Sequence, residues 1–453
     1  MHAHIVLDLG FGDAGKGLIT DFLARQRKAG LVVRYNGGAQ AGHNVVTPDG
    51  LHHTFSQFGS GTFVPGVKTY LSKFMVIHPT ALLVEGDRLA ALGVEDVFAR
   101  LRINPQCLVI TPFHQSANRI RELMRGASRH GSCGVGVGET VEDARAQNDD
   151  CIYAADLYHP DTLRQKLASI RGRKREGLIS DYGEKALKSL AGDEWVFFEH
   201  LEVMDAWLGS VARISELDLV APDDLLSDWF HKTEHAVFEG AQGVLLDADA
   251  GLHPHTSWSD CTTRNAHELI AELAPDSQTT TIGVLRCYSV RHGAGPLPTE
   301  TRNLIRLVSE HNHLNDWQGA VRYGWFDPLL VRYALNETAG VDYLAVTHMD
   351  VLSRLNEWKY CVGYKSGGPL YTPGDISNDF QLIHDVPSQR MMSLEDRVAQ
   401  TKSLQKVEPV YETCPSSTKE VINHIESLTG RPIGLISRGP KSLDVEYLEH
   451  GLK

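Results

Sequence analysis

Ile5-Val6-Leu7-Asp8-Leu9-Gly10-Phe11-Gly12-Asp13-Ala14-Gly15-Lys16-Gly17 joins an apolar run to a glycine-rich turn. The run has the composition of a buried strand. Gly10 to Lys16 has the G-x-x-x-x-G-K spacing of a loop that wraps phosphate in backbone N–H groups. Ser or Thr ordinarily follows the lysine, and its hydroxyl helps hold magnesium; here that position is Gly17. The loop carries Asp13 instead, an oxygen ligand for a hard cation or a base for a proton. Leu18 to Arg25 continues as an amphipathic helix, so the loop amides would stand at a helix N-terminus, where anions are favoured.

Further along, short apolar runs alternate with helical stretches: Leu31 to Tyr35, Cys107 to Thr111, Trp195 to Phe198, Ala236 to Glu239, Thr280 to Leu285, Tyr343 to Val346 and Pro432 to Ile436. That alternation predicts an α/β fold, a large and mostly parallel central sheet flanked by helices. Without repeats or a low-complexity linker, the 453 residues read as one domain, 1–453, with a polar excursion at about 365–387. The composition, 42% hydrophobic and 22% charged, is that of a globular enzyme. A formal charge of −13 with no sustained basic block excludes a general nucleic-acid or anionic-membrane footprint, and the run Arg171 to Arg175 reads as a solvated helix end. No stretch approaches the roughly 20 apolar residues that span a bilayer, and no leader precedes the first strand, so a cytoplasmic location is expected. Seven cysteines without a C-x-x-C pair argue against a disulfide framework or a zinc–thiolate site.

Four further segments carry chemistry. Asn36 to Asn44 is a second glycine-rich turn at a strand end, and His43 within it can donate to a phosphoryl oxygen as charge develops. His130 to Glu139 is too glycine-rich for a helix and reads as an anion nest containing Ser132, with Cys133 as a lining residue. Phe238 to Asp247 places the Gln242 amide, both donor and acceptor, just after a strand, where it suits a base edge. The last segment combines Arg291-His292-Gly293-Ala294-Gly295-Pro296 with Arg322 in Gln318 to Trp325, and arginine is the natural bidentate partner of carboxylate or phosphate. Asp350 closes the strand-like Ala345-Val346-Thr347-His348-Met349; its carboxylate suits guanine N1–H and the 2-amino group, or a helix N-cap.

In order, these segments resemble the adenylosuccinate synthetase family from Ile5 to about Pro440. The family's G-D-E-G-K-G is Gly12 to Gly17, its N-A-G-H is Gln40 to His43, and its E-G-A-Q-G-x-x-L-D is Glu239 to Asp247. Its R-x-G-A-G-P-x-P-T-E is Arg291 to Glu300, and its S-T-G-P is Ser437 to Pro440. The resemblance implies a P-loop-NTPase-like α/β fold and a homodimeric C–N ligase. It would join L-aspartate to C6 of a purine nucleoside monophosphate such as IMP, using GTP (or ATP) and Mg2+, through a 6-phosphoryl intermediate. Small molecules are the implied partners.

It implies catalytic roles for Asp13, Lys16, His43 and Gln242, and magnesium ligation by Asp13 and Gly42. Nucleotide contacts fall to Gly12, Gly15, Gly17, Gln40, Ser132, Cys133, Ser257, His292, Asp350, Ser437 and Gly439, and aspartate contacts to Arg322 and Thr299. The departures are specific: Ala14 replaces a glutamate, Gln40 an asparagine, Cys133 a threonine and His348 a lysine, and Ser257 stands for a threonine. The arginine-rich aspartate loop is thinned to Ala320-Val321-Arg322. An arginine reaching the partner subunit's nucleotide has no clear equivalent, with Gln147 near that register and Arg145 close by. Phe11-Gly12, Lys16-Gly17-Leu18-Ile19 and Ser259-Asp260-Cys261-Thr262 look closer to phage relatives acting on dGMP, whereas Asp13 is typically lost in those relatives. A dGMP- or GMP-specific synthetase and a catalytically silent nucleotide-binding regulator are the alternative readings.

Overall fold

The strand His2–Asp8 lies at the middle of a nine-stranded sheet. The computed structural model describes residues 1–126, 129, 131–308, 317, 319–366 and 381–448. Across the sheet the order is Val445–Tyr447, Ile433–Ser437, Tyr343–Thr347, Gln278–Arg286, His2–Asp8, His235–Glu239, Leu31–Arg34, Lys68–Leu71 and Leu101–Ile103. Every neighbouring pair is parallel except Ile433–Ser437 with Val445–Tyr447.

Parallel strands need helical crossovers, which cover both sheet faces and demand apolar residues in both directions. The core divides accordingly. Val6, Val32 and Val237 pack with Leu18, Ile19, Phe22 and Leu23 of the helix Lys16–Gln26. Their sequence neighbours Ile5, Val33 and Phe238 point the other way, against Leu226 and Phe230 of Asp223–His231 and Leu269 and Ile270 of Arg264–Leu273. A separate helical layer, Pro79–Ala91, Pro112–Arg125, Pro160–Tyr182, Gly192–Glu199 and Glu202–Glu216, forms its own core beyond one sheet edge.

Four expectations are corrected. Trp195 to Phe198 is helical, inside Gly192–Glu199: Trp195 and Phe198 are buried while Val196 is exposed, the three-residue period of a helix face that a short apolar run conceals. Cys107 to Thr111 contributes only Leu108–Val109, paired with Val76–Ile77 outside the main sheet, and Thr111 caps Pro112–Arg125. Arg171 to Arg175 lies inside Pro160–Tyr182 rather than at its end. Arg173 there pairs with Asp143 and Asp150, and the buried Lys174 with Glu139. The glycine-rich segment 130–139 passes into the helix Val137–Arg145, with Gly136 at its N-cap in the left-handed region (φ 97°).

Flanking the expected excursion, Glu357–Ser366 pairs with Gln381–Ile383 and with Glu408–Pro415 in an antiparallel sheet. Positions 367–380 lie outside the described residues, as do His130 and Gln318.

Candidate active site

Eight parallel strands deliver their C-terminal ends to one edge of the sheet, the edge where open α/β folds place ligands. The loop after His2–Asp8 is organised from inside by Asp8. Its Oδ1 accepts N–H bonds from Gly10 (2.8 Å) and Gly12 (3.3 Å), and its Oδ2 from Ala14 (2.8 Å). Lys16 Nζ reaches Asp8 Oδ2 at 3.1 Å and the Gly12 carbonyl at 2.6 Å. Lysine and carboxylate are both buried, so the ion pair fixes the loop from beneath. Gly15 takes φ 97° at the N-cap of Lys16–Gln26, a conformation that costs glycine little. Thr347 Oγ1 donates to the Ala14 carbonyl (2.7 Å) and Arg286 Nε to that of Asp13 (2.6 Å), tying the loop to two more strand ends.

The unusual Gly17 has a steric cause. A Cβ there would stand 2.9 Å from His43 Cβ and 3.1 Å from Ser60 Oγ, so the space an ordinary loop gives to Ser or Thr is filled by the His43 strand. His43 opens the strand His43–Val46, and its Nδ1 lies 2.6 Å from Glu239 Oε1. Ser60 N donates to Glu239 Oε2 (2.9 Å), and Ser60 Oγ donates to Oε1. Burial works against the Glu239 charge, but His43 and Arg34 overcome it and hold the carboxyl well below its usual range. Burial also pushes the His43 imidazole below its ordinary value, outweighing the neighbouring carboxylate. His43 is therefore a neutral ring donating Nδ1–H to a charged Glu239. Nε2 is left for the cleft, and the carboxylate behind favours a proton there once negative charge gathers in front.

Two glycine-rich turns meet beside the loop. Asn36 bridges them: its Nδ2 donates to the carbonyls of Ala241 (3.0 Å) and Asp260 (2.7 Å), and its Oδ1 accepts from Ala241 N (2.7 Å). Gln242, with φ 57°, sits against Gly12 and Gly37. Both Oε1 and Nε2 of its amide are buried without a hydrogen-bond partner, and so is Oε1 of Gln40 beside Gly38. Buried amides are normally satisfied, and an orphaned pair at the mouth of a phosphate loop is what a ligand edge would complete.

Gly12, Asp13, Gly15, Lys16, Gly17, Gly42, His43, Arg286, His348, Asp350 and Gly439 line one cleft. Asp13 is half-buried in it and Gly42 is exposed. A carboxylate and a carbonyl in a cleft with a lysine-bearing loop are hard oxygen donors of the kind Mg2+ takes while keeping waters, so the residues fit the ion. Ser437 is buried below Gly439, to whose carbonyl its hydroxyl donates (2.7 Å).

The remaining expected residues are not in the lining of this cleft. Ser132 Oγ accepts from Asn118 (3.0 Å), and burial pushes the Cys133 thiol up to about 11. The amides of Gly131 and Gly136 donate to Glu122 and Asn118, so this segment's nest is partly filled by the protein. Ser257 bonds to the Leu246 carbonyl through its own N–H (2.7 Å), on the turn that follows Gln242. His292 Nε2 is 3.2 Å from the Gly319 carbonyl.

Arg322 donates to the carbonyls of Gly293 and Gly295 and to Glu300 Oε2 (2.8 Å), and the fully buried Thr299 donates to the Trp325 carbonyl (2.7 Å). Arg291, read from sequence as an anion ligand, instead stacks over the Phe11 ring at 4.1 Å and donates to the carbonyls of Ala294, Pro296 and His255. Its burial, reinforced by Arg322, lowers the guanidinium to about 9. Asp8, Arg34, Ser60 and Arg286 were not foreseen; only Asp8, a charge at the end of an apolar run before a glycine turn, left a local signal.

Fold and cleft define a nucleotide-binding α/β enzyme with a modified phosphate loop. The adenylosuccinate synthetase family model matches residues 5–445, and the chain belongs to that family of nucleoside-triphosphate-dependent C–N ligases. It is 31% identical over 455 residues to an adenylosuccinate synthetase of Neisseria gonorrhoeae and 32% identical over 454 residues to one of Pseudomonas aeruginosa, covering 98% of both chains in each case. The fold matches fully ligated adenylosuccinate synthetase from Plasmodium falciparum with a TM-score of 0.76 at 20% identity, over 98% of this chain and 99% of that one. It also matches a cyanophage S-2L succinoaminodeoxyadenylate synthetase bound to dGMP and dATP, with a TM-score of 0.58 at 16% identity over 98% and 95%.

Proposed function

We propose that the protein joins L-aspartate to C6 of an IMP-type purine nucleoside monophosphate, with GTP as phosphoryl donor, giving an N6-succinyl purine nucleotide. The carrying observation is one cleft that holds the Lys16 loop, Asp13 and a Glu239-backed His43, with the orphaned Gln242 amide beside Gly12. Asp13 takes the N1 proton of the purine, so O6 gains electron density and attacks the γ-phosphorus. The bond to the β-phosphate oxygen breaks and the diphosphate leaves, with Lys16, the loop amides and His43 balancing charge. The aspartate amine then attacks C6, the O6 phosphate departs with its bonding pair as inorganic phosphate, and the amine loses a proton. Gln242 holds the purine edge, and Asp350 suits a guanine on the donor. Asp13 and the Gly42 carbonyl would hold magnesium, which would supply neutralising charge to the donor's phosphates. The family relationship supports a cytoplasmic homodimer as the setting.

The test incubates the protein with aspartate and magnesium, with IMP, GMP or dGMP and with GTP or ATP, and reads phosphate release and product mass. Succinylated IMP made with GTP is expected; no phosphate release in any combination removes the proposal. A preference for dGMP above about tenfold, roughly 1.4 kcal/mol of transition-state binding, would move the reading to the dGMP-specific synthetase. Ser259 to Thr262 favours that second reading, and the retained Asp13 favours the first.

A further inference from the structure

We infer that His2, His4 and His235 form a binding site for a divalent transition-metal ion of the zinc type, at the end of the sheet opposite the catalytic cleft. Strand register builds it. His2 and His4 are two apart on one strand and so project from the same face, and His235 is the direct parallel partner of His2 on the adjacent strand. One ring nitrogen from each of the three lies within 4.8 Å of the others. His4 Nε2 and His235 Nδ1 are already 3.1 Å apart, against the roughly 3.3 Å between nitrogens sharing a tetrahedral zinc at about 2.0–2.1 Å. The His2 and His4 rings stack at 4.4 Å.

The chemistry of the set selects the ion. Three imidazoles with no carboxylate among them suit zinc, cobalt, nickel or copper and repel the hard, water-loving Mg2+ that the catalytic cleft suits. His4 is buried between the two half-buried rings. Burial, then the neighbouring rings, lower the His4 imidazole to about 3, and burial lowers His2 and His235 as well. The Arg27 guanidinium opposes a cation here; Asp342 near His2 and Glu234 near His235 act in the opposite sense. Thr280 Oγ1, 2.7 Å from His2 Nε2, closes the cluster on the third strand.

About 13 Å of strand separates His4 from Asp8, and about 20 Å separates His2 from it. The ion would join His2–Asp8 to His235–Glu239, the two strands whose far ends carry Asp8 and Glu239. Its expected role is to stabilise the centre of the sheet.

The experiment uses the full chain dialysed against EDTA. Zinc is titrated by calorimetry with elemental analysis of the product, and cobalt is added as a spectroscopic probe. One zinc per chain is expected, with a rise in thermal midpoint that magnesium does not reproduce. Cobalt should give weak visible bands free of thiolate charge transfer. His2→Asn and His235→Asn, at half-buried positions, should each weaken binding at least about tenfold while zinc-free ligase turnover with magnesium stays unchanged. Substoichiometric zinc, thiolate charge transfer, or unchanged affinity in both single variants would overturn the site. Because the wild-type stoichiometry and cobalt spectrum need no variant, misfolding of a substituted chain does not blunt the test.

Discussion

The phosphate loop and the arm from Ser289 to Trp325 use similar residues, glycine with charged side chains, and hand out their hydrogen bonds in opposite ways. In the loop, inward-facing groups satisfy one another: Asp8 takes the amides of Gly10, Gly12 and Ala14 as well as Lys16. That arrangement leaves Asp13 and His43 on the cleft wall. In the arm, Arg291 and Arg322 donate to carbonyls of their own turn, Ala294 and Pro296 for one, Gly293 and Gly295 for the other. The comparison teaches that a charged residue in a glycine-rich turn becomes a ligand-facing group only when another residue, here Asp8, has already satisfied the turn's backbone.

The sharpest way to break the contrast is Asp13→Asn, which keeps the loop's backbone pattern while removing the proposed base. Turnover should fall by about 10²–10⁴-fold with the thermal midpoint nearly unchanged. Retained phosphate release would show that the cleft-facing position is idle. Next in size is Glu239→Gln, which strips the countercharge from the fully buried Arg34, whose Nε and Nη2 have no hydrogen-bond partner. A buried charge left uncompensated costs about 3–5 kcal/mol, so denaturant unfolding should show a loss of that order together with impaired turnover. A loss well under 1 kcal/mol would mean that Glu239 serves orientation of His43 and little else.

These two variants also mark where sequence legibility ends. The loop was readable because its ingredients are contiguous, a strand, a G-x-x-x-x-G-K turn and a helix within about two dozen residues, each demanding the next. The parallel sheet was readable for a related reason: strands buried on both faces must be apolar throughout, as Leu31–Arg34 nearly is. Glu239 stands 196 residues from His43, and nothing local marks them as partners. Arg291 was misread for the converse reason. A guanidinium's preference for anions is intrinsic to the residue, but whether carbonyls and an aromatic ring reach it first is a property of packing. Trp195 to Phe198 failed because four apolar residues fit a strand or a buried helix turn equally well.

Just beyond the arm, at the N-cap of the helix Pro328–Glu337, stands another buried carboxylate, Asp327, and it contrasts with Glu239. Burial pushes it up to about 6, and the 2.6 Å bond that Tyr364 donates to its Oδ2, the backbone amides of Leu329 and Leu330 and the Arg332 charge offset that only in part. Its native value lies above the unfolded 3.8, so the native state binds the extra proton. The stability associated with that proton is whole below about pH 4 and is lost as pH rises through about 6, on the order of 2–3 kcal/mol in full. Asp327→Asn, which stays neutral, should therefore gain on the wild type by more at pH 8 than at pH 5. Urea unfolding at the two pH values measures the difference; parallel curves would show that Asp327 does not carry the titration.

Arg322→Gln tests the arm at a half-buried arginine that braces its own turn, and its expected effect is the smallest. For Arg322 to receive the carboxylate of aspartate it must release Glu300, an ion pair with the arginine side chain 25% and the glutamate 47% exposed. Exposed pairs contribute about 0–1 kcal/mol, so the exchange costs little, and the bonds to the Gly293 and Gly295 carbonyls would keep the guanidinium aimed meanwhile. A substrate contact predicts a KM for aspartate raised about tenfold, near 1.4 kcal/mol, with the nucleotide KM values unmoved. A brace predicts something else, because the loop it holds leads to Arg291, and Arg291 stacks on Phe11 of the phosphate loop. Loosening that chain would raise all three KM values together and lower kcat. The ratio of the aspartate effect to the nucleotide effect thus decides whether the arm faces the ligand, as the phosphate loop does, or only supports the loop that does.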